Sequence, residues 1–360
     1  MLDHPYATAT RITVIQSYCI LIIRLPESGK EPYPGGRCGA AARRAASSEN
    51  DESEIFMTTG KHLGFVGIGR MGAPMVERLL NAGFKVTIYD TQPAALKALE
   101  AKGAAIAQSP KAVADAAATV LVSLPTPDIV LAVALGEAGL VHGKAVRTVI
   151  DLSTSGSQAA RALAEGLAEH GIQSIDCPVS GGVTGAGKGT LALMISGPQA
   201  SFDALQDVFT VLGKPVYVGE KPGMAQTMKV INNLISVTAL SVTSELLVMG
   251  VKAGLDPDIM LRIINSGSGR SNASEDKIPR FVLTRSFDFG FAMGLSAKDV
   301  RLCHEESQQL GMQLRVGDAA RRLLNDAHDK FGDDADLTEI IRYIEEGVGV
   351  EVRGKAAGPR

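Results

Sequence analysis

A glycine-rich turn between an apolar strand signal and a helical pattern constrains the fold of this chain more than any other feature. Residues 63–66 form a short apolar run, Gly67-Ile-Gly-Arg-Met-Gly72 follows, and a helical pattern then extends to Gly83. A second apolar run, residues 85–89, ends in Asp90. The spacing G-x-G-x-x-G is weak evidence by itself, but between a strand and a helix it predicts a dinucleotide-binding βαβ unit.

The three glycines of this turn have separate tasks in such a unit. Gly67 allows the tight turn, Gly69 lets the backbone approach a pyrophosphate, and Gly72 lets the helix pack closely on the strand. The N-terminus of the helix then faces the phosphates. We therefore expect cofactor contacts from the whole turn, which comprises Gly67, Ile68, Gly69, Arg70, Met71 and Gly72.

Asp90 stands at the tip of the second predicted strand. A carboxylate at this position can accept hydrogen bonds from both hydroxyls of the adenosine ribose and repels a 2′-phosphate. The next residues, Thr91 and Gln92, provide no arginine to hold such a phosphate. The sequence therefore predicts NAD as the cofactor in preference to NADP, although an aspartate after a strand can also simply form a turn.

Further strand signals alternate with helical segments, at residues 118–124, 146–151, 173–176 and 191–195. Alternation of this kind predicts an α/β protein with a doubly wound parallel sheet. Because ligands bind beyond the carboxyl ends of such strands, the residues that follow two of them are cofactor candidates. These are Leu124, Pro125, Thr126, Ser153 and Thr154, of which the last two could instead cap a helix.

Composition excludes several classes of partner. Lysine and arginine number 36 against 39 acidic residues, so the net charge of −3 gives no basic field for nucleic acid. The cysteines have neither metal-ligand spacing nor a secreted framework, which indicates reduced thiols, a cytoplasmic location and no zinc site. Residues 230–251 are apolar but interrupted by polar side chains, so we expect a buried helix rather than a membrane span.

Residues 1–56 show no clear periodicity. A short apolar run is followed by a Gly/Pro/Arg/Ser-rich stretch and an acidic cluster, without the flanks of a secretory signal. We expect these residues to be a disordered or artefactual extension, with Met57 as the natural start.

Lys229 and Asn233 lie four residues apart at the head of a long apolar helical run. An i, i+4 pair shares one helix face. A lysine on a face that lines a cleft is desolvated, which lowers its pKa and suits it to general acid/base chemistry. The alternative, a surface lysine at a helix start, is electrostatically unfavourable because the helix N-terminus is positive.

A second glycine-rich segment, residues 176–191, contains Ser180, Gly181 and Gly182. Free amides and a serine hydroxyl in such a turn can form an anion-binding concavity. A flexible loop between strands has the same composition, so the residues alone leave both readings open.

Four motifs follow one another along the chain. They are Gly-Phe-Val-Gly-Ile-Gly-Arg-Met-Gly-Ala-Pro-Met, Asp-Cys-Pro-Val-Ser-Gly-Gly-Val-Thr-Gly-Ala, the segment 223–233, and Lys298-Asp299. Together they resemble the β-hydroxyacid dehydrogenase family, which includes 3-hydroxyisobutyrate dehydrogenase and tartronate semialdehyde (2-hydroxy-3-oxopropionate) reductase, over residues 60–345. The resemblance implies a Rossmann domain, here 57–221, joined by a long helix to an all-α domain, here 222–352, with a flexible tail at 353–360.

The resemblance also implies roles for particular residues. Ser180, Gly181 and Gly182 would hold the substrate carboxylate, Lys229 would be the catalytic acid/base, and Asn233 would position the substrate. Lys298 would lie near the cofactor and Phe291 would wall the nicotinamide side of the pocket. The segments 269–274, which should lie over the pocket, and 311–314 depart from the family pattern and leave the substrate open.

The implied function is an NAD(P)-dependent oxidoreductase that interconverts a small β-hydroxy acid and its semialdehyde, as a homodimer or homotetramer. Two alternatives remain at this point. One is a reductase for another carbonyl or imine substrate on the same scaffold. The other is a noncatalytic dinucleotide-binding protein, which Lys229 and Asn233 weigh against.

Overall fold

The computed structural model describes residues 62–358, so the expected extension 1–56 lies outside the described residues. A nine-stranded sheet flanked by helices occupies the first part of this range, and helices occupy the rest. The strands are β1 (His62–Val66), β2 (Lys85–Tyr89), β3 (Ala105–Ile106), β4 (Thr119–Val122), β5 (Thr148–Asp151), β6 (Gln173–Asp176), β7 (Val179–Ser180), β8 (Leu191–Ser196) and β9 (Gly213–Gly219).

Helices connect most of these strands. They are α1 (Gly72–Asn81), α2 (Pro93–Glu100), α3 (Pro110–Ala116), α4 (Pro127–Leu135), α5 (Gly156–Ala168), α6 (Gly182–Lys188), α7 (Gln199–Ala204) and α8 (Gln206–Leu212). Strands β1 to β6 are parallel and run in the order β3-β2-β1-β4-β5-β6, which is the order of a dinucleotide-binding fold. The predicted α/β class with an N-terminal Rossmann-type sheet is confirmed.

The far edge of the sheet departs from the prediction of purely parallel strands. Strand β8 is antiparallel to both β6 and β7, and β9 pairs with β8 in parallel. A parallel connection needs a crossover of about a dozen residues or more, whereas the segment between Ser180 and Leu191 is shorter and returns antiparallel. Strands β3 and β7 have two residues each and β9 contains Pro215, so their sequence signals are weak.

The central strands are apolar because both faces of the sheet are covered. Leu121 packs in the cluster on one face, while its neighbours Val120 and Val122 pack in the cluster on the other. All three side chains are fully buried. Continuous apolar runs of this kind are typical of central parallel strands.

The second part of the described chain begins with a helix of 29 residues, α9 (Met224–Lys252). It is followed by α10 (Pro257–Ser266), a segment with π-type hydrogen bonding (Ala273–Val282), α11 (Met293–Gln309), α12 (Arg315–Phe331) and α13 (Ile340–Val348). These elements enclose one apolar core.

Helix α9 is long and apolar enough to cross a membrane by length and composition, with a mean hydropathy of 1.8 in its most apolar window. The core helix of a soluble protein passes the same test. Leu240 and Leu247 of α9 are fully buried and belong to the core of the helical part. Helix α9 therefore serves as the central packing element of the second half.

Candidate active site

The glycine-rich turn has the geometry that a dinucleotide needs. Gly67 has a φ of +91°, and a Cβ there would lie 2.3 Å from the carbonyl oxygen of Ser123. A Cβ on Gly72 would lie 2.0 Å from the carbonyl oxygen of Gly67, so both positions require glycine. By contrast, a Cβ on Gly69 would meet no protein atom within 4 Å. The turn therefore fits a pyrophosphate at Gly69, where the backbone is open.

The other residues of the turn are divided between the core and the surface. Ile68 is buried in the sheet core and Met71 packs against it. Arg70 is exposed, and its guanidinium lies close to Gly290, in the loop before α11. Of the turn's side chains, Arg70 is therefore the one that reaches toward the helical part.

Asp90 lies beside the turn, as predicted. Its Oδ2 accepts a hydrogen bond of 2.7 Å from the amide of Ile68, and its Oδ1 accepts one of 2.8 Å from the amide of Gln92. The carboxylate thus shapes the turn, and each oxygen retains a lone pair for a ribose hydroxyl. The ribose contact and the turn-forming role are compatible at this position.

The loops after β4 and β5 are tied together through Ser153. Its Oγ accepts a hydrogen bond of 2.9 Å from the amide of Leu124, and its own amide donates to Asp151 Oδ1 over 2.9 Å. Helix α5 has Ser155 at its N-cap position, so neither Ser153 nor Thr154 caps it, whereas Thr126 does cap α4. Pro125 is exposed and Thr154 is half-buried at this carboxyl edge.

Gln226 joins the start of α9 to the loop after β5. Its Oε1 accepts hydrogen bonds of 3.0 and 3.2 Å from the amides of Ser155 and Gly156, and its Nε2 donates to the carbonyl of Ser153 over 2.9 Å. Gln226 is completely buried. Gln226 stands three positions before Lys229, but its contacts with the distant loop have no signal in the sequence.

The N-terminus of α9 is anchored at the carboxyl end of β6. Asp176 Oδ2 accepts hydrogen bonds from the amide of Gly223 and from Ser196 Oγ, the latter over 2.8 Å. Burial raises the pKa of Asp176 to about 6, against the lowering effect of these two hydrogen bonds. The helix that carries Lys229 therefore starts at the same edge of the sheet as the cofactor turn.

Lys229 and Asn233 are both buried and in direct contact. Lys229 Nζ donates a hydrogen bond of 2.9 Å to Asn233 Oδ1, and Asn233 Nδ2 donates one of 2.6 Å to Asp299 Oδ2. Lys298 Nζ lies 3.0 Å from Asp299 Oδ1 and donates to the carbonyl of Thr154 over 2.6 Å. A continuous polar chain thus runs from Lys229 on α9 through α11 to the loop after β5.

Burial lowers the pKa of Lys229 to about 8. This value already includes the raising effect of Asp299 and the smaller lowering effect of the nearby Lys298. An amine with this pKa exists in both protonation states near neutral pH, which is the condition for general acid/base chemistry. The sequence shows Asp299 only as part of the Lys298-Asp299 motif, whereas the structure makes it the hydrogen-bond partner of Asn233.

The loop with Ser180, Gly181 and Gly182 lies beyond the carboxyl edge of the sheet. Strand β7 continues past Asp176 and pairs with β8, which runs back toward Asp176. Gly181 and Gly182 are exposed and have φ values of +134° and +62°. The loop therefore lies at the same edge of the sheet as the glycine-rich turn, and a Cβ on Gly182 would meet no protein atom within 4 Å.

Phe291 lies in the loop before α11 and is half-buried. Its side chain packs against the core of the helical part, and its carbonyl oxygen accepts a hydrogen bond of 2.8 Å from the amide of Leu337. The expected contact with a nicotinamide remains a prediction.

Two family profiles match adjacent parts of the chain. Residues 62–219 match the profile described as the NAD binding domain of 6-phosphogluconate dehydrogenase. Residues 223–344 match the profile described as NAD-binding of NADP-dependent 3-hydroxyisobutyrate dehydrogenase. The boundary between the two falls just before α9.

Individual proteins are similar over nearly their whole length. 2-(Hydroxymethyl)glutarate dehydrogenase of Eubacterium barkeri is 35% identical over 81% of this chain and 97% of its own. 3-Hydroxyisobutyrate dehydrogenase of Pseudomonas aeruginosa is 33% identical over 73% of this chain and 91% of its own. The structure of Mycobacterium tuberculosis 3-hydroxyisobutyrate dehydrogenase with L-serine has a TM-score of 0.71 at 27% identity, over 79% of this chain and 99% of that one. The chain therefore belongs to the β-hydroxyacid dehydrogenase family of NAD(P)-dependent oxidoreductases that act on CH–OH groups.

Proposed function

We propose that this protein interconverts a small β-hydroxy acid and its semialdehyde with Lys229 as the general acid/base. The observation that carries this proposal is the buried contact between Lys229 and Asn233, together with a lysine pKa of about 8. A noncatalytic dinucleotide-binding protein would have no use for a desolvated amine at this position.

In the oxidative direction, neutral Lys229 Nζ accepts the proton of the substrate hydroxyl. In the reductive direction, the ammonium form of Lys229 returns that proton to the developing alkoxide. The bound nicotinamide cofactor supplies the hydride acceptor or donor. General acid/base catalysis of this kind contributes about 10²- to 10⁴-fold to the rate.

Asn233 and Asp299 keep Lys229 in place. Because Asn233 Nδ2 donates to Asp299, the amide of Asn233 can turn only one way and presents its Oδ1 to Lys229 Nζ. Lys298 partly neutralises Asp299 and links it to Thr154 after β5. This arrangement would hold the proton carrier at a constant position relative to the cofactor turn.

The substrate carboxylate is assigned to Ser180, Gly181 and Gly182. Exposed glycine amides beyond the carboxyl edge of the sheet, with a serine hydroxyl beside them, can donate several hydrogen bonds to one anion. An acid held there would place its β-carbon hydroxyl toward α9, which begins at the same edge.

We also propose that NAD is preferred to NADP. The support is Asp90, whose carboxylate is fixed beside Ile68 and would repel a 2′-phosphate. One of the matching profiles is named after an NADP-dependent enzyme, so the test compares the two cofactors directly on this protein. Initial rates with both cofactors at saturating substrate decide it.

We propose that the protein is cytoplasmic and has neither nucleic acid nor a membrane as a partner. We also propose that it assembles as a homodimer or homotetramer through α9. A line of apolar side chains along α9 is exposed, at Met224, Met228, Ile231, Ile235, Val242, Leu246 and Met249. Ile235→Glu should lower the molar mass measured by light scattering, whereas Ile129→Glu, at another exposed isoleucine in α4, should leave it unchanged. A wild-type monomer at micromolar concentration would contradict this assembly.

The decisive test of the function is Lys229→Met, which keeps the apolar stem and removes the amine. Turnover is measured with 3-hydroxyisobutyrate, 2-(hydroxymethyl)glutarate and glycerate, each with NAD and with NADP. For the substrate that the wild-type protein accepts, turnover by Lys229→Met should be lower by about 10²-fold or more. NADH binding and the thermal midpoint should survive. Lys252→Met, at the exposed end of the same helix, is the matched control and should keep full activity.

Asn233→Ala should instead raise KM and lower kcat together, because it misplaces the amine rather than removing it. A Lys229→Met protein that retains more than about a third of wild-type kcat would exclude this residue as the acid/base. A wild-type protein that reduces cyclic imines and turns over none of the hydroxy acids would refute the proposed substrate class.

A further inference from the structure

A second buried lysine lies beside the helix face that carries the candidate catalytic residues. Lys277, in the π-type segment Ala273–Val282, is only 2% exposed. Its Nζ donates hydrogen bonds of 2.7 Å to Ser236 Oγ and 2.6 Å to Asn272 Oδ1. It also stands 5.4 Å from the centre of the Phe289 ring.

Ser236 places this ammonium on the helix face that carries Lys229 and Asn233. The three residues are spaced by four and by three along α9, so they share one helix face. Asn233 and Ser236 are separated by about 4.5 Å along the helix axis, and Lys229 and Ser236 by about 10 Å. Lys277 Nζ is thus roughly one helical turn beyond Asn233 on the active-site face.

The contacts of Lys277 leave its charge without a paired carboxylate. Both hydrogen-bond acceptors are neutral, and Lys277 forms no ion pair with any of the described residues 62–358. The adjacent Asp276 forms its ion pair with Arg280 over 2.7 Å. Burial lowers the pKa of Lys277 to about 8, and the charge of the neighbouring Asp276 opposes this effect by raising it.

A buried ammonium that only bridges two neutral groups destabilises the fold, because these contacts compensate poorly for the lost hydration of its charge. One of the three N–H donors of the ammonium remains available after the bonds to Ser236 and Asn272. Asn272 belongs to segment 269–274, which the family resemblance predicts to lie over the substrate pocket. An available donor on a buried ammonium whose two hydrogen-bond acceptors are neutral indicates an anionic ligand.

We propose that Lys277 binds a second carboxylate of the substrate, so that the protein acts on β-hydroxy acids with a distal acid group. This inference rests on the proposed function, because it takes Lys229 as the group that meets the reacting hydroxyl. The first carboxylate is held at Ser180–Gly182 and the second at Lys277, with Ser236 and Asn272 fixing the ammonium.

The spacing favours a substrate with a distal arm. A two-methylene arm from the α-carbon to a carboxyl carbon spans roughly 4 Å when extended, because it contains three C–C bonds of about 1.5 Å each at tetrahedral angles. This length is close to the one helical turn that separates Asn233 from Ser236. A five-carbon diacid backbone with a hydroxymethyl branch fits this requirement, while 3-hydroxyisobutyrate, with a methyl group in place of the arm, leaves Lys277 unpaired.

The experiment compares 2-(hydroxymethyl)glutarate with 3-hydroxyisobutyrate, which differ only by that arm. In the wild-type protein kcat/KM should be higher for the diacid by roughly 10-fold or more, as expected for a hydrogen-bonded charge pair. Lys277→Met should lower kcat/KM for the diacid by roughly 10- to 100-fold and change the monoacid by less than about 3-fold. Lys277→Arg keeps the charge and should retain part of the preference, and Lys252→Met is the control.

Equal losses on both acids would show that Lys277 is structural, and a wild-type protein with no preference for the diacid would overturn the inference. If neither acid is oxidised, the proposed function fails. The inference is then tested separately, by measuring the affinity of the protein–NADH complex for glutarate and for butyrate by calorimetry. Wild-type protein should then bind glutarate more tightly, and Lys277→Met should bind both alike. Butyrate binding as tight as that of glutarate in the wild-type complex would also overturn it.

Discussion

Asp299→Asn tests the electrostatics of the site without changing the shape of the side chain. Asp299 raises the pKa of Lys229, so neutralising it should lower that pKa below its value of about 8. Oxidation requires the neutral amine, and kcat/KM therefore rises with pH to a plateau above the lysine pKa. The rise should move to lower pH in the variant, because less alkali is needed to deprotonate Lys229.

The size of the change follows from the contacts. Asp299 Oδ2 is 2.6 Å from Asn233 Nδ2, and Asn233 Oδ1 is 2.9 Å from Lys229 Nζ. Across the amide, the two charges are thus about 7 Å apart, and at an effective dielectric constant of about 20 they interact by about 2.4 kcal/mol. This energy corresponds to a pKa lower by about 1.7, and solvent screening reduces the change toward about 1.

The assay is the pH dependence of kcat/KM for the hydroxy acid at saturating cofactor, between about pH 5.5 and 10. Glu305→Gln on α11 removes one negative charge from an exposed pair with Arg301 and serves as the control, with no expected change. In the reductive direction the ammonium is needed, so the fall in rate at high pH should also move to lower pH. A profile that stays in place, or moves to higher pH, would refute the assignment of Lys229 as the titrating group.

Three further outcomes are expected. Gly69→Ala should keep the thermal midpoint but weaken cofactor binding measured by NADH fluorescence, whereas Gly67→Ala should lower the midpoint because its Cβ meets a carbonyl oxygen. Asp90→Ala should narrow the preference for NAD, mainly through KM for the cofactor, and an NADP preference in the unmutated protein would reject that role. Gln226→Leu leaves two buried amides without an acceptor and should lower the free energy of unfolding in urea by about 3 kcal/mol; a change below about 1 kcal/mol would contradict the importance of this contact.

Local features of this protein were readable before its structure. The glycine-rich turn is recognisable because the local backbone conformation determines where glycine is needed. Gly67, for example, has the positive φ that a tight turn favours. Lys229 and Asn233 were paired from their spacing, because an α-helix brings residues i and i+4 together. Their hydrogen bond of 2.9 Å confirms that geometry, while the catalytic role remains a proposal.

The contacts that surround Lys229 depended on the tertiary structure. Asp299 reaches Asn233 across 66 positions, and Lys277 reaches Ser236 across 41. The antiparallel β8 likewise depends on which strands meet at the edge of the sheet. Periodicity and turn chemistry depend on neighbours in sequence, so the sequence determined the turn and the helix face. Charge pairing, burial and strand direction depend on packing between distant segments, and only the folded chain decides which segments those are.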